Sequence, residues 1–400
     1  MKNKNKKIKI ILIAISLIIL IFCMFRLVNY LRVKYAKIDI TLVSNMTLEF
    51  NDNKKVSDYI ESINGKIVDD YKIDSTKLGT KKVKFKFIND DNIELEFSYN
   101  IDIVDTVAPV VWLDDTYYAL KNSEDNLLDK ILCGDNYDSN PKCEIIGEYD
   151  LNNIGSYPLL FKATDSNNNI TEKNFTLKVY EKNKSNNNSN IKYTNFRDVI
   201  NDYKTDNTKI GIDVSAWQGD IDFEKIKNAG VEFIIIKVGG TKYNTTENYV
   251  DSKFKRNIEG ANKYGIDVGI YFYSYAQNSK QAINDAKWII NQIKDYNVIL
   301  PIAFDWEDFD NYNSYKLSFY KLTTMAEDFI KTIEKEGYDA MLYGSKNYLE
   351  QIWLPTKSDI WLAHYTSNTN YQGKYKIWQK CNDGLIDGID GPVDIDIMYY

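Results

Sequence analysis

Hydrophobic residues follow several distinct patterns along this 400-residue chain, and each predicts a different element. The first is an uncharged, almost wholly apolar run over 10–25, between Lys9 and Arg26. With Ile8 and the aliphatic stems of the flanking cations, it is long enough for a bilayer-spanning helix. The residues that follow, Arg26-Leu-Val-Asn-Tyr-Leu-Arg32, offer no small-x-small cleavage pattern. The expectation is therefore an uncleaved transmembrane signal anchor over 10–31 behind a basic cytoplasmic tail at 1–9. The lysines at 2, 4, 6, 7 and 9 favour an amino terminus inside and the remainder outside the cell.

The second pattern is strict alternation. Val83, Phe85 and Phe87 alternate with lysines, an Asx-rich turn follows at Asn89-Asp-Asp-Asn92, and Ile93, Leu95 and Phe97 alternate with glutamates. The arrangement recurs with Tyr157, Leu159, Phe161 and Ala163, the turn Asp165-Ser-Asn-Asn-Asn169, and Phe175-Thr-Leu177-Lys-Val179. Period-two alternation around a polar turn predicts a half-buried hairpin. Its recurrence after about 75–80 residues fits tandem β-sandwich modules. Through Val104-Asp-Thr-Val-Ala-Pro109, and Ile154-Gly-Ser-Tyr157 with Ala163-Thr-Asp165-Ser-Asn-Asn168, this region is similar to bacterial immunoglobulin-like surface repeats. The resemblance implies two all-β immunoglobulin-like sandwiches, at 38–107 and 108–181, serving as spacers, with carbohydrate or protein binding as the alternative. Cys133 and Cys143 are close enough along the second for a local disulfide in an oxidising space, with two free buried thiols as the alternative.

A polar stretch with few apolar anchors, 182–208, reads as a linker. Beyond it come eight short apolar segments, at 210–214, 233–238, 268–273, 299–305, 340–343, 360–365, 375–379 and 393–397. Helical patterns at 223–229, 254–264, 279–296 and 318–336 separate the early ones, while the last three connections are too short for a useful helix. Continuous apolar strands alternating with helices predict a parallel sheet covered on its outer side. For 209–400 the expectation is an α/β TIM-like barrel with incomplete helical cover.

Composition narrows the chemistry. His364 is the one histidine, and Cys23, Cys133, Cys143 and Cys381 lack C-x-x-C pairing, which excludes zinc sites built from several histidines or paired cysteines. A Ser-His-Asp system would have only His364, which reads as a packed, hydrogen-bonded residue. Neither metal nor cofactor is expected. Residues 1–38 carry nine Lys or Arg and no acid, so of 50 basic and 57 acidic residues the remainder holds 41 and 57, a balance of −16. An acidic body without a Gly-rich phosphate loop is a poor nucleic-acid partner. Carboxylates and tyrosines are left as the abundant catalytic material.

The carboxyl ends of parallel barrel strands converge on one face. Asp213 ends the first strand, Asp305 and Glu307 the fourth, and Asp394 lies on the last. Residues two apart on a strand face one side, so Asp305 and Glu307 form a carboxylate pair around Trp306. The stretch Gly211-Ile-Asp213-Val-Ser215-Ala-Trp-Gln218-Gly219-Asp-Ile221-Asp222-Phe223 leads an ordered series of motifs. Ile236-Lys237, Gly269-Ile-Tyr271-Phe272, Leu300-Pro301, Asp305-x-Glu307, Trp378-Gln379 and Val393-Asp394 follow it. Together they resemble glycoside hydrolase family 25, the N-acetylmuramidases that cleave between N-acetylmuramic acid and N-acetylglucosamine in peptidoglycan.

That resemblance implies Glu307 as proton donor, Asp305 as the assisting carboxylate, and Asp213 and Asp394 as the other active-site acids. Tyr271, Tyr273, Tyr343, Tyr365 and Trp378 are aromatics at strand ends, with Tyr273 and Tyr343 favoured as lining the site. Lys237 and Gln379 complete the substrate-binding candidates. Two departures stand out: Lys237-Val-Gly-Gly-Thr-Lys-Tyr243 replaces the relatives' KATEG or RxGYRGY, and Asp396 stands where many have Asn. The expected protein is a membrane-anchored muramidase facing the cell wall, with peptidoglycan as partner. A silent glycan-binding surface protein and a chitinase are the rivals.

Overall fold

The computed structural model describes residues 2–124, 126–181 and 193–400, with side chains from Leu12 onward. Positions 182–192 of the expected linker, and the side chains of the basic tail, lie outside the described residues. The chain divides into two compact units, Met1–Thr106 and Val107–Tyr400.

The first unit opens with the helix Lys2–Lys34, whose last turn carries Arg32 and Lys34 where cations complement the helix dipole. Its stretch Leu12–Lys34 is long and apolar enough to cross a membrane, and its apolar side chains are exposed all round. By length and composition, such a segment is compatible with a membrane anchor or a signal sequence. A small β-module follows, with a four-stranded sheet of Thr47–Glu49, Glu94–Val104, Gly79–Asn89 and Gly65–Ile67 and a two-stranded ladder of Ile40–Leu42 with Ile60–Ile63. The expected hairpin is present, pairing Val83 with Tyr99, Phe85 with Phe97 and Phe87 with Leu95. Alternate residues Val83, Phe85, Phe87, Tyr99 and Ile101 fill its core.

The second unit begins with a β-module of similar plan. Its four-stranded sheet joins Lys142–Ile146, Gly155–Thr164, Ile170–Tyr180 and Thr116–Leu120, and its ladder pairs Val110–Val111 with Cys133–Gly134. The second expected hairpin is there too, turning at Asn168 with φ 68°. Cys133 and Cys143 are joined by a disulfide of 2.02 Å.

The rest of the unit is a closed eight-stranded barrel: β1 Thr208–Val214, β2 Phe233–Thr241, β3 Asp267–Tyr273, β4 Ile302–Asp305, β5 Ala340–Ser345, β6 Asp359–Ala363, β7 Ile377–Leu385 and β8 Val393–Tyr399. All eight expected strands are found, but the all-parallel sheet is not. Neighbours from β1 to β7 run parallel, whereas β8 lies antiparallel to both β7 and β1 and closes the barrel between them. The connection 386–392 allows only a hairpin, since a parallel return needs a dozen residues or more. Helices Phe223–Ala229, Phe254–Lys263, Ser279–Ile293 and Phe319–Lys335 cover the early strands, and only the short helix Lys346–Gln351 follows β5. Strand alternation splits the core into two layers. Phe233 and Ile235 point inward with Ala303, Met341, Trp361 and Ile377, while Ile234 and Ile236 meet the helices.

The linker expectation fails for its last part. Asn195 caps the helix Phe196–Tyr203 by accepting the Arg197 N–H, and Phe196 and Val199 are buried in the barrel's outer core. Residues from Thr194 onward thus belong to the barrel, and Thr194–Asn195 pairs with β7.

Candidate active site

Five carboxyl groups gather at one end of the barrel, on strands that local pattern makes apolar up to their last residues. Asp213 closes β1, and the antiparallel register sets Asp394 of β8 directly across from it. Asp305 closes β4, Trp306 turns outward, and Glu307 turns back in. Trp306 is fully buried and donates its indole N–H to the Ala276 carbonyl at 3.0 Å, which fixes the alternation.

Burial dominates the electrostatics. Asp213 and Asp305 are only 5% and 4% exposed, and both carboxyls are held well above the usual carboxylate range. For Asp213 desolvation is followed by the charges of Asp394 and Asp396; for Asp305 it is followed by Glu307 and opposed by Lys237. Glu307 is pushed up to about 7, by desolvation first and the Asp394 charge next, against a hydrogen bond with Asp305 and the Lys237 charge. Asp394 rises to about 6 through burial. Lys237 sits over the Tyr273 ring at 4.9 Å and the Tyr271 ring at 5.8 Å, a cation–π cradle beside the acids.

Gln379 organises the opposite wall. Its Oε1 accepts from the Tyr343 hydroxyl at 2.9 Å and the Tyr365 hydroxyl at 3.0 Å, and its Nε2 donates to Asp213 Oδ2 at 2.8 Å. Glu307, Tyr343, His364 and Tyr365 line a cavity of about 370 Å³ open to solvent. Asp305 Oδ1 is buried here without a hydrogen-bond donor, a lone pair left for an incoming group. His364 bonds Thr369 through Nδ1 at 2.9 Å, a packed histidine at the rim.

The structure therefore brings together Asp213, Asp305, Glu307, Asp394, Lys237, Tyr271, Tyr273, Tyr343 and Gln379. It does not bring Trp378. Neighbours on a strand face opposite sides, so Gln379 inside puts Trp378 outside. The Trp378 ring is buried in the barrel's outer layer, donates to the His364 carbonyl at 2.9 Å and meets Tyr203 edge-on at 5.8 Å.

Asp396 is the member that the candidate set lacks. It is fully buried, and its Oδ1 accepts the Trp361 indole N–H at 2.8 Å. Its Oδ2 meets no N–H donor and adjoins the Asp213 carboxyl. Two bare carboxylates repel; a proton between them makes a bond, which raises Asp213 as the donor and lowers Asp396 as the acceptor, while burial pushes Asp396 up to about 8. The signal was in the sequence: Asp394 and Asp396 are two apart on one strand, as Asp305 and Glu307 are around theirs.

Residues 212–389 match the sequence profile of Glycosyl hydrolases family 25. The chain is 28% identical over 191 residues to the autolytic lysozyme of Clostridium acetobutylicum, covering 46% of this chain and 54% of that protein. It is 30% identical over 203 residues to lysozyme M1 of Streptomyces globisporus, covering 46% and 65%. The chain thus spans between half and two thirds of the length of these relatives. Among solved structures, a family 25 glycosyl hydrolase from Bacillus anthracis aligns with a TM-score of 0.42 and 23% identity, over 50% of this chain and 92% of that one. The profile match contains Asp213, Asp305 and Glu307 and stops before Asp394 and Asp396.

Proposed function

We propose that the family 25 glycosyl hydrolase domain of this chain is an active muramidase, cleaving the β-1,4 bond between N-acetylmuramic acid and N-acetylglucosamine in peptidoglycan. The observation that carries the reading is the pairing of Asp305 with Glu307, two buried carboxyls joined by a hydrogen bond and both raised, so that the pair keeps a proton near neutral pH. A glycosidic oxygen leaves as an alcohol only if it is protonated, so the acid must keep its proton near neutral pH. Glu307 is that acid. Asp305, with its unengaged Oδ1, either meets the positive charge that develops at the anomeric carbon or orients the substrate's acetamido group for attack on that carbon. Both routes retain configuration.

Asp394, raised only to about 6, keeps the far side of the cleft negative at neutral pH, and Lys237 balances the pair on its near side. Tyr271, Tyr273, Tyr343 and Gln379 are placed to contact the sugar rings and the acetamido group. The helix Lys2–Lys34 tethers the enzyme to the membrane, with the barrel on the wall side, which suits local remodelling of the wall. The immunoglobulin-like reading of the β-modules belongs to the same proposal.

The test is reducing-end release from purified peptidoglycan by the full chain beside Glu307→Gln, with mass spectrometry of the fragments. Muramic-acid reducing ends from the parent alone support the reading. No release from any wall preparation leaves a glycan-binding surface protein, and glucosamine ends from chitin alone leave a chitinase.

A further inference from the structure

The second β-module and the barrel meet on the loop that leaves β4 immediately after Asp305. Asn313, in the short helix Tyr312–Tyr315 of that loop, uses its whole amide on the module. Its Oδ1 accepts the Cys133 N–H at 2.9 Å, and its Nδ2 reaches the Ile131 carbonyl at 2.8 Å and the Leu128 carbonyl at 3.3 Å. The next helix, Phe319–Lys335, begins with backbone N–H groups that have no partner inside the helix. Two of the module's carbonyls supply partners: Phe319 N–H donates to Asp135 O at 2.8 Å and Tyr320 N–H to Asn136 O at 3.1 Å. Lys321 Nζ adds a bond to Ser139 Oγ at 2.7 Å. Contact is close enough that a Cβ at Gly134 would stand 2.6 Å from the Phe319 ring and 2.8 Å from the Tyr312 ring.

A ladder of rings completes the junction. Trp112 of the module lies 4.7 Å from Tyr348, Tyr348 stacks on Phe309 at 3.7 Å, and Phe309 meets Trp306 edge-on at 5.1 Å. Trp306 is the residue between Asp305 and Glu307. The strand that carries Cys133 and Gly134 is itself bound to its module by the bridge to Cys143.

We propose that the second β-module is a fixed part of the hydrolytic unit, and that Asn313 and Trp112 are positioning residues that hold the Glu307 loop in register with Asp305. The inference rests on Glu307 being the acid. A spacer joined through a flexible segment needs no such contacts. A general acid does need them, because displacement of an ångström or less costs orders of magnitude in rate. Within the loop, backbone bonds from the Phe309 N–H to the Glu307 carbonyl and from the Asn311 N–H to the Asp308 carbonyl shape turns without fixing where the loop lies. Trp306 is held at the strand end by the Ala276 carbonyl of the barrel, and the module fixes the loop beyond it from outside.

The experiment uses the full chain as parent, Asn313→Ala, Trp112→Ala, Trp112→Phe and the double change Cys133→Ser with Cys143→Ser. Hydrogen exchange read by mass spectrometry follows the amides of 307–318 against those of 210–214. Expected are exchange about tenfold faster in 307–318 for both alanine variants and the double serine variant, no change in 210–214, and recovery in Trp112→Phe. On peptidoglycan, kcat falls about tenfold with KM within about twofold, and the alkaline limb of kcat moves to lower pH as water reaches Glu307. Parent-like exchange in 307–318 with unchanged kcat overturns the proposal. So does equal acceleration at 210–214, which would make the module a support of the whole barrel. A parent that cleaves no wall preparation removes the muramidase reading, and the exchange comparison then decides the docking by itself.

Discussion

Gln379 of β7 donates its side-chain amide to Asp213 of β1 across 2.8 Å, joining two strands that β8 separates. The amide has one orientation, because two tyrosine hydroxyls already occupy its oxygen. Gln379→Glu turns the donor into an acceptor and sets a carboxylate against a carboxylate. The expected result is a loss of about 100-fold in kcat/KM on peptidoglycan, with a lower Tm. Activity within about threefold of the parent would mean that the Asp213 contact has no part in the reaction.

Asp396 holds a proton in the fold at pH values where an unfolded chain has lost it. Its folded pKa, about 8, lies above the unfolded value, so between roughly pH 4 and pH 8 the native state binds more protons and stability falls as pH rises. Asp396→Asn keeps the Trp361 bond and supplies a permanent donor to Asp213. We expect it to raise stability at pH 8 by roughly 2 kcal/mol, to change little at pH 4, and to leave activity nearly intact. Thermal melts at both pH values check the sign.

The pH dependence of hydrolysis should fall on its alkaline side as Glu307 ionises near about 7. Lys237 opposes the rise of both Asp305 and Glu307, so its charge holds that limb down. Lys237→Met should move the limb to higher pH by about half a unit or more, at reduced kcat. A limb that stays in place would separate Lys237 from the acid pair. Glu307→Gln should lower kcat by about 10²–10⁴-fold below about pH 7, with the gap closing on the alkaline side.

Trp378 lies in the barrel's outer layer. Trp378→Phe should therefore leave KM within about twofold of the parent and cost about 1 kcal/mol of stability through the lost bond to the His364 carbonyl. Tyr343→Phe, which removes a donor to Gln379, should do the reverse. Steady-state kinetics and denaturant melts on the two variants are a direct comparison.

The barrel strands were legible because each is a continuous apolar run bounded by polar turns, and the Asp305–Glu307 pair because two residues apart on a strand share a face. The direction of β8 was not. Val393, Ile395 and Ile397 alternate identically whether the strand runs up or down, and only the brevity of 386–392 carries the answer. Trp378 shares the strand-end position of the site tyrosines, but its neighbour Gln379 faces the barrel interior, and strand geometry sends the two to opposite faces. Phe196, Val199, Ile200 and Tyr203 follow helical spacing behind the cap Asn195, but the polar run before them hid it. The bond from Cys133 to Asn313 spans 180 positions, and no local pattern signals a contact of that range.

Strand β8 follows every other barrel strand in sequence and yet lies beside the first. Protein synthesis delivers Asp213, Asp305 and Glu307 well before Asp394 and Asp396. Until β8 arrives, β1 and most of β7 are open edges, and neither Asp394 nor Asp396 stands beside Asp213. A half-made chain thus holds the Asp305–Glu307 pair without the closed frame around it. On the proposed function, the order of translation is a safety catch: the blade is forged early, and the handle that makes it usable is fitted last.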